Sequence, residues 1–407
     1  MDSTVRVVES PFVAPSEPTP RKGLWLSSLD LLIAKRGHTP TFYLFHNNDS
    51  ASDFFDVARL KAAMAKALVP FYPLAGRLGV DNSGRMEIDC NSEGALFVIA
   101  RADYITIDEI KDVKPSPELR RQLVPRIEPS SVLMAVQVTF KCGGVALGTA
   151  LHHASIDAMS AFHFFQTWSS FSRDGDRAAV ELPCHDRTLL RARSPPIIHP
   201  NTHSITFSIS KDQVTALKRR CNGASALLWQ CVCVVRRLPP DAEARLTLSA
   251  DIRRRVTPPL PERYFGNALV RVGVAVAVRD VIPSEALTSI AGRIRAAVRR
   301  MDNEMVRSAI DYFQVVEMSG QWAASGTRPE TELHVTSWLG MPVYDADFGW
   351  GLPRVMSLAE SNVGGFVHLM SDGPADAGGV RVLMSMEAAN VNELERLLYE
   401  ALARCTC

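Results

Sequence analysis

The chain lacks an excess of either charge. Its 407 residues carry a formal net charge of +1 at pH 7. No basic field is present that would hold nucleic acid without regard to its sequence. It also lacks an uncharged apolar run of about 18 residues or more, so no membrane-spanning helix is expected. Met1-Asp2-Ser3-Thr4-Val5-Arg6 shows no basic stretch leading into an apolar core, so no secretory signal is expected either. The eight cysteines are scattered. Their close pairs, Cys231-Val232-Cys233 and Cys405-Thr406-Cys407, are not Cys-x-x-Cys units. Free thiols in a reducing cytosol are expected. Internal repeats and low-complexity tracts are missing as well.

What is present is a sequence rich enough to build large cores. Hydrophobic residues make up 46% and charged residues 22%, the balance of a globular protein. The length suggests two domains.

One stretch stands out. Leu147 to Leu151 is apolar and β-prone, and it ends in His152-His153. Asp157 follows four residues after His153. Met159 to Phe171 then has Phe162, Phe165 and Trp168 on a roughly 3.6-residue helical period. A strand feeding a turn and a helix holds a side chain rigidly at a sheet edge. An imidazole there can accept a proton at neutral pH. The plainer reading is a hydrogen-bonded core histidine, and the residues alone leave both open. Zinc would need a third ligand, which no nearby pattern supplies, and no His-Glu-x-x-His helix exists.

Along the chain, Val5 to Val13 reads as a strand and Gly23 to Asp30 as apolar groups beside a turn. His38 to Phe45 is a strand with Thr39, Thr41 and Tyr43 on one face. Phe54 to Leu68 is helical and stops at Pro70 and Pro73. Ser131 to Phe140 and Val145 to Leu151 form a hairpin through Gly143-Gly144, so His153 sits at the end of its second arm. Arg187 to Pro200, with several arginines and prolines, reads as an interdomain crossover. Ser204 to Ile209 follows as a strand, then helices at Lys211 to Arg220 and Ala224 to Arg237. Leu246 to Ala250 is a strand. Leu269 to Ala277 is an uninterrupted β-prone run of the kind buried on both faces. Helices at Pro283 to Met301 and Asn303 to Met318 precede strands at His334 to Trp338, Gly365 to Met370 and Val380 to Met386. Val391 to Arg404 is a terminal helix. The mixture places the chain in the α/β or α+β class.

Two separated motifs then resemble one family. His153-Ala154-Ser155-Ile156-Asp157 resembles the HxxxD motif of the plant BAHD acyl-CoA acyltransferases. Asp347-Phe348-Gly349-Trp350-Gly351 resembles their DFGWG motif. Leu24 to Asp30, His38-Thr39-Pro40, Pro70 to Leu78, Asp186 to Arg193 and Tyr264-Phe265-Gly266-Asn267 resemble the hydroxycinnamoyltransferase branch.

The resemblance implies an α/β fold of two similarly built, chloramphenicol-acetyltransferase-like domains with a channel between them. Residues 1–186 and 203–407 would be those domains, with 187–202 as the crossover. It implies acyl-CoA as co-substrate, no bound cofactor or metal, and a cytoplasmic monomer. His153 becomes the general base. By spacing alone Asp157 could orient His153 as a triad carboxylate does, whereas the resemblance implies that Asp157 and Asp347, though counted with the catalytic motifs, support the structure more than the chemistry. Thr39, Thr41 and Tyr43 would line the acceptor side, and Trp350 is a further substrate-side candidate.

The sequence departs from that pattern in three places. Ala158 stands where relatives mostly have glycine. Leu339-Gly340 follows Ser337-Trp338 where polyol-binding relatives carry threonine. Cys221 to Ala224 looks shortened. Leu339-Gly340 favours an amine acceptor over shikimate or quinate. A cationic amine calls for a nearby acid, for which Glu330, Glu332 and Asp345 are candidates.

Overall fold

In the computed structural model, residues 5–47, 52–110, 114–198, 220–283, 286–320, 328–361, 364–374 and 379–405 are described. Two α/β domains are built on two large sheets, with a small third sheet beside them. The first large sheet runs in the order Arg6–Glu9, Ala95–Thr106, Met134–Cys142, Gly144–His152, His38–His46, Val355–Leu358, and Phe12–Val13 pairs beside Ala95–Thr106. The second has the order Leu269–Ala277, Glu243–Asp251, Glu332–Ser337, Phe366–Ser371, Val380–Ser385. Gly23–Trp25, Met86–Asp89 and Arg77–Val80 make the small sheet.

Helices Val57–Ala67 and Ala158–Asp174 pack together over the first sheet. Trp168 and Phe164, on the second of these, are fully buried there. Asp157 starts that helix by accepting the Ser160 N–H at 3.0 Å, the usual N-cap arrangement. Over the second sheet, helix Arg220–Val235 packs against Ala286–Arg299 and Val391–Cys405.

The domains are not separate along the chain. Val355–Leu358 comes from the C-terminal half, yet it pairs antiparallel with His38–His46 in the N-terminal sheet. Phe265, Trp338, Tyr344 and Phe348 likewise belong to the N-terminal core.

Several sequence expectations are refined. The strand at Val5 to Val13 is two strands. Gly23 to Asp30 is more than a turn: after Gly23–Trp25, Ser27 caps helix Ser28–Ala34, and its hydroxyl and N–H both meet Asp30. Leu269–Ala277 is not buried on both faces. It is an edge strand in which Val270, Val272 and Val274 are buried while Arg271 and Gly273 are exposed. Its uninterrupted β-prone character hides that alternation, because Gly273 and the outward alanines are not polar. Ala158 takes no left-handed backbone. It is the first residue of a helix, so alanine costs nothing there. In the crossover, Arg187–Leu190 makes a helical turn with Arg187 and Leu190 buried. The expected strand Ser204 to Ile209, the helix at 211–219 and residues 199–202 of the crossover lie outside the described residues. Cys221 to Ala224 falls within helix Arg220–Val235.

Candidate active site

A cavity of about 1270 Å³ lies between the two large sheets. Thr39, Thr41 and Tyr43 face it from the first sheet, Arg271, Thr336 and His368 from the second, and His153 from the turn between them. Strand alternation separates the adjacent histidines. His153 borders the cavity, and His152 is not among its lining residues. His152 packs edge-on against His38, with ring centroids 4.9 Å apart. Its Nδ1 accepts the Ala154 N–H at 3.2 Å.

His153 is held by its main chain. Its N–H donates to Gly37 O at 2.8 Å, and its carbonyl accepts from Asn267 Nδ2 at 2.8 Å. Its Nδ1 is shut from solvent and has no hydrogen-bond partner. Burial, followed by the charge of Arg36, lowers its pKa below the ordinary imidazole value. The ring is therefore neutral at pH 7 and able to take a proton.

Behind the His153 turn lies a buried polar network. Asp30 Oδ1 accepts from the N–H and Nδ2 of Asn267 at 2.9 and 2.8 Å. Asp30 Oδ2 is 3.1 Å from Arg187 Nη1, and both side chains have 0% exposure. Arg187 in turn donates to Ala154 O at 3.2 Å and Ser155 O at 2.7 Å. Helix Ser28–Ala34, the crossover and the loop after Tyr264 thus converge on three consecutive carbonyls, those of His153, Ala154 and Ser155. Sequence reading assigned no role to Asp30, Arg187 or Asn267. Each falls in a segment quoted for its family resemblance, and that was the available signal.

Asp157 points away from the imidazole. Its carboxylate accepts from Arg253 Nη1 and Nη2, from the Ser160 N–H and from the Ala268 N–H. Burial alone would raise its pKa, but Arg253 and the backbone donors outweigh that and hold it below the ordinary carboxylate value. Among the hydroxyls, Thr41 Oγ1 meets Thr149 Oγ1 at 2.5 Å. Tyr43 is buried against Phe165, ring centroids 5.6 Å apart.

The DFGWG loop lies elsewhere. Asp347 Oδ1 accepts the N–H groups of Gly349 at 2.8 Å and Gly351 at 3.0 Å. Phe348 is fully buried on Trp168, 4.7 Å between ring centroids. Trp350 does not line the cavity. It stacks on Phe55 at 5.2 Å, with the Arg59 guanidinium 4.3 Å from its ring centroid. The loop fastens the C-terminal half onto the N-terminal core.

Leu339 packs toward the C-terminal core, and neither it nor Gly340 lines the cavity. Of the three acid candidates, Glu332 lines the cavity but pairs with Arg328 at 2.8 Å. Glu330 and Asp345 are exposed and outside it. Among the described residues, no helix is long and apolar enough to cross a membrane.

Comparison with known proteins agrees with this architecture. The family model described as Transferase family matches residues 3–223 and 208–400. Putrescine hydroxycinnamoyltransferase 1 of Oryza sativa subsp. japonica is 41% identical, covering 98% of this chain and 99% of the relative. That alignment spans 443 residues, more than the whole chain, so segments of the relative are missing here. Shikimate O-hydroxycinnamoyltransferase of Nicotiana tabacum is 35% identical, covering 97% of this chain and 99% of the relative. The crystal structure of vinorine synthase superposes with a TM-score of 0.74 at 25% identity, covering 98% of both chains. The chain is a member of the Transferase family, the BAHD acyl-CoA-dependent acyltransferases.

Proposed function

We propose that the protein transfers a hydroxycinnamoyl group from its CoA thioester to an amine, giving a phenolic amide. The observation that carries the acyl-transfer reading is the neutral, half-buried imidazole of His153 on the cavity between the sheets. The amine nitrogen attacks the thioester carbonyl carbon. His153 takes the proton that nitrogen sheds. The tetrahedral oxyanion collapses, the carbon–sulfur bond breaks, and CoA leaves as thiolate. Positioning supplies much of the acceleration, and a base of this kind contributes about 10²- to 10⁴-fold.

Amide formation is favoured because the 41% identical rice relative is named for an amine acceptor, whereas the tobacco relative named for shikimate stands at 35%. Thr39, Thr41 and Tyr43 form the acceptor-side wall, and Asp157 and Asp347 act as structural supports. Trp350 supports the DFGWG loop rather than substrate. Residues 1–186 and 203–407 form the bulk of the two domains, joined by 187–202, with Val355–Leu358 crossing into the first sheet, and the protein works as a cytoplasmic monomer. O-acylation of an alcohol is the second reading, since the cavity's threonine hydroxyls suit a polyol equally well. The test is a competition screen. Coumaroyl-, caffeoyl-, feruloyl- and benzoyl-CoA are each offered a mixture of amines, shikimate, quinate and glycerol, with products identified by mass. Amides are expected, and esters as the dominant products overturn the amide assignment.

A further inference from the structure

The second sheet turns one row of polar side chains toward the cavity. Arg271 stands opposite Ser249, and Thr336 opposite His368. Ser249 Oγ lies 3.2 Å from Thr336 Oγ1, which joins the row, and all of these residues line the cavity. The transfer step described above uses none of them. Behind the two hydroxyls sits His334, with 1% exposure and outside the cavity lining. Both of its ring nitrogens are engaged. Nδ1 is 2.8 Å from Thr247 Oγ1, and Nε2 is 3.1 Å from Ser249 Oγ and 3.5 Å from Thr336 Oγ1. Burial, then the charges of Arg328, Arg271 and Arg36, keep this imidazole neutral. One nitrogen therefore donates and the other accepts.

Which nitrogen does which follows from the carboxylate at the end of the chain of contacts. Thr247 Oγ1 donates to Glu332 Oε1 at 3.2 Å, and Arg328 Nη1 is 2.8 Å from the same oxygen. A hydroxyl has one hydrogen, and a charged oxygen is its stronger acceptor. Thr247 thus accepts from His334 Nδ1–H, which leaves Nε2 as a lone pair. Ser249 gives its hydrogen to that nitrogen, and Thr336 gives its own to Ser249. Both hydroxyl hydrogens are spent inside the wall. Only oxygen lone pairs remain toward the cavity, and they take a hydrogen-bond donor. A protonated amine is a poor donor here, because Arg271 adjoins Ser249 and Arg36 lines the same cavity. A neutral O–H fits. Beside the hydroxyls the wall is aromatic. The His368 ring centroid is 4.8 Å from that of Phe366 and 5.4 Å from that of Trp338, and burial holds the His368 imidazole neutral at a pKa of about 3. A flat ring that bears a hydroxyl satisfies both features.

We propose that Ser249 and Thr336, with their hydrogens turned inward by His334, form a subsite for the phenolic O–H of the aromatic acyl group and make the enzyme select donors with a free ring hydroxyl. Ser249 and Thr336 contact that hydroxyl. His334 is a positioning residue that acts through them. The proposal rests on the acyl-CoA reading above and not on the choice between amine and alcohol. The acceptor is the less suitable occupant, because Thr39, Thr41 and Tyr43, the wall assigned to it, belong to the opposite sheet.

The experiment compares coumaroyl-CoA with cinnamoyl-CoA, which lacks the hydroxyl, and with 4-methoxycinnamoyl-CoA, which cannot donate. Each is given to the full chain with the acceptor mixture of the competition screen. Coumaroyl-CoA is expected to have a kcat/KM at least about tenfold above both analogues, through the donor KM. Thr336→Val and Ser249→Ala should bring the coumaroyl-to-cinnamoyl ratio to within about twofold of one. His334→Leu frees both hydroxyl hydrogens to face the cavity, so the coumaroyl-to-methoxycinnamoyl ratio should fall by about tenfold. A purely structural histidine would lower all three donors alike. Thermal unfolding checks that the variants fold. Thr336→Val, which keeps the side-chain shape, decides where His334→Leu does not fold. Equal use of the three donors by the parent overturns the proposal, and so does a ratio untouched by Thr336→Val and Ser249→Ala. Equal use of the donors, with a preference for tyramine over phenethylamine that Thr336→Val abolishes, also overturns it and places an acceptor phenol there. If nothing is acylated, the transfer reading fails by itself and calorimetric titration decides the subsite. Coumaroyl-CoA binding at least about tenfold tighter than cinnamoyl-CoA, a difference lost in Thr336→Val, supports it. Equal affinities overturn it.

Discussion

Asp157 and Arg253 form a two-pronged ion pair, 2.9 Å at Oδ2 and 3.0 Å at Oδ1, joining the N-terminal and C-terminal halves of the chain. The same guanidinium reaches Ser160 Oγ and the carbonyls of Tyr264 and Gly266. The carboxylate four residues after His153 is thus spent on holding its helix to the C-terminal half of the chain.

Asp157→Asn keeps the size and removes the charge. Arg253 then keeps Asp251, 2.8 Å away, as its anionic partner but loses the buried one, so the loss should fall below the about 3–5 kcal/mol of a fully broken buried pair. Urea unfolding should show it as a lower midpoint. Unchanged stability with turnover abolished would instead make Asp157 act on the imidazole.

The two histidines should separate kinetically. His153→Ala is expected to lower kcat by at least about a hundredfold. His152→Ala should cost less in kcat, because its ring packs on His38 rather than on the cavity. Steady-state rates on folded variants check this, and equal losses would remove the base assignment.

The pH–rate profile follows from the lowered pKa of His153. Its acid limb should fall below the free imidazole value of about 6.5. With an aliphatic amine acceptor, turnover should also rise between about pH 7 and 9 as the nucleophile loses its proton. An arylamine, already neutral, should give a flat profile there.

Stability should fall on acidification well above the carboxylate range. Burial holds His152 and His185 to about 4 and His368 to about 3. Unfolded, each takes up a proton near about 6.5. The unfolded state binds more protons between those values, so folding stability is full above about pH 6.5 and drops toward pH 4. Thermal melts across that range read it directly.

Gly349→Ala should weaken the DFGWG loop. The residue has φ of +104°, and a Cβ would come within 2.2 Å of Arg59 Nη2. A strained backbone of this kind costs on the order of 1–3 kcal/mol. The melting temperature should drop, with activity retained at low temperature.

Much of this site could be read from residue order because strand and helix periodicity are local. The hairpin delivering His153, the hydroxyl face of Thr39, Thr41 and Tyr43, and the helix after Asp157 all follow from spacing. What spacing could not give is convergence. Asp30, Arg187 and Asn267 are far apart in the chain and meet only because the fold brings a helix, the crossover and a loop behind one turn. The charge of the cavity was equally hidden. Glu332 counts as an acid in sequence, and only the neighbouring Arg328 shows it to be already engaged. Arg271 was masked by an apolar run that looked fully buried. Trp350, drawn to the substrate side by its motif, belongs instead to an aromatic stack.

The strand Val355–Leu358 sets the order in which the protein can be made. Met356 and Leu358 lie opposite Tyr43 and Thr41, so this wall of the cavity has its outer neighbour only when the last eighth or so of the chain is being made. Until then the His38–His46 strand shows a bare edge of unpaired amides and carbonyls, open to other nascent chains. A translation product stopped anywhere in the crossover would carry His153 and the whole HxxxD turn, but on an unfinished sheet. Splitting the gene at that linker should therefore yield two fragments that regain a working cavity only by meeting each other.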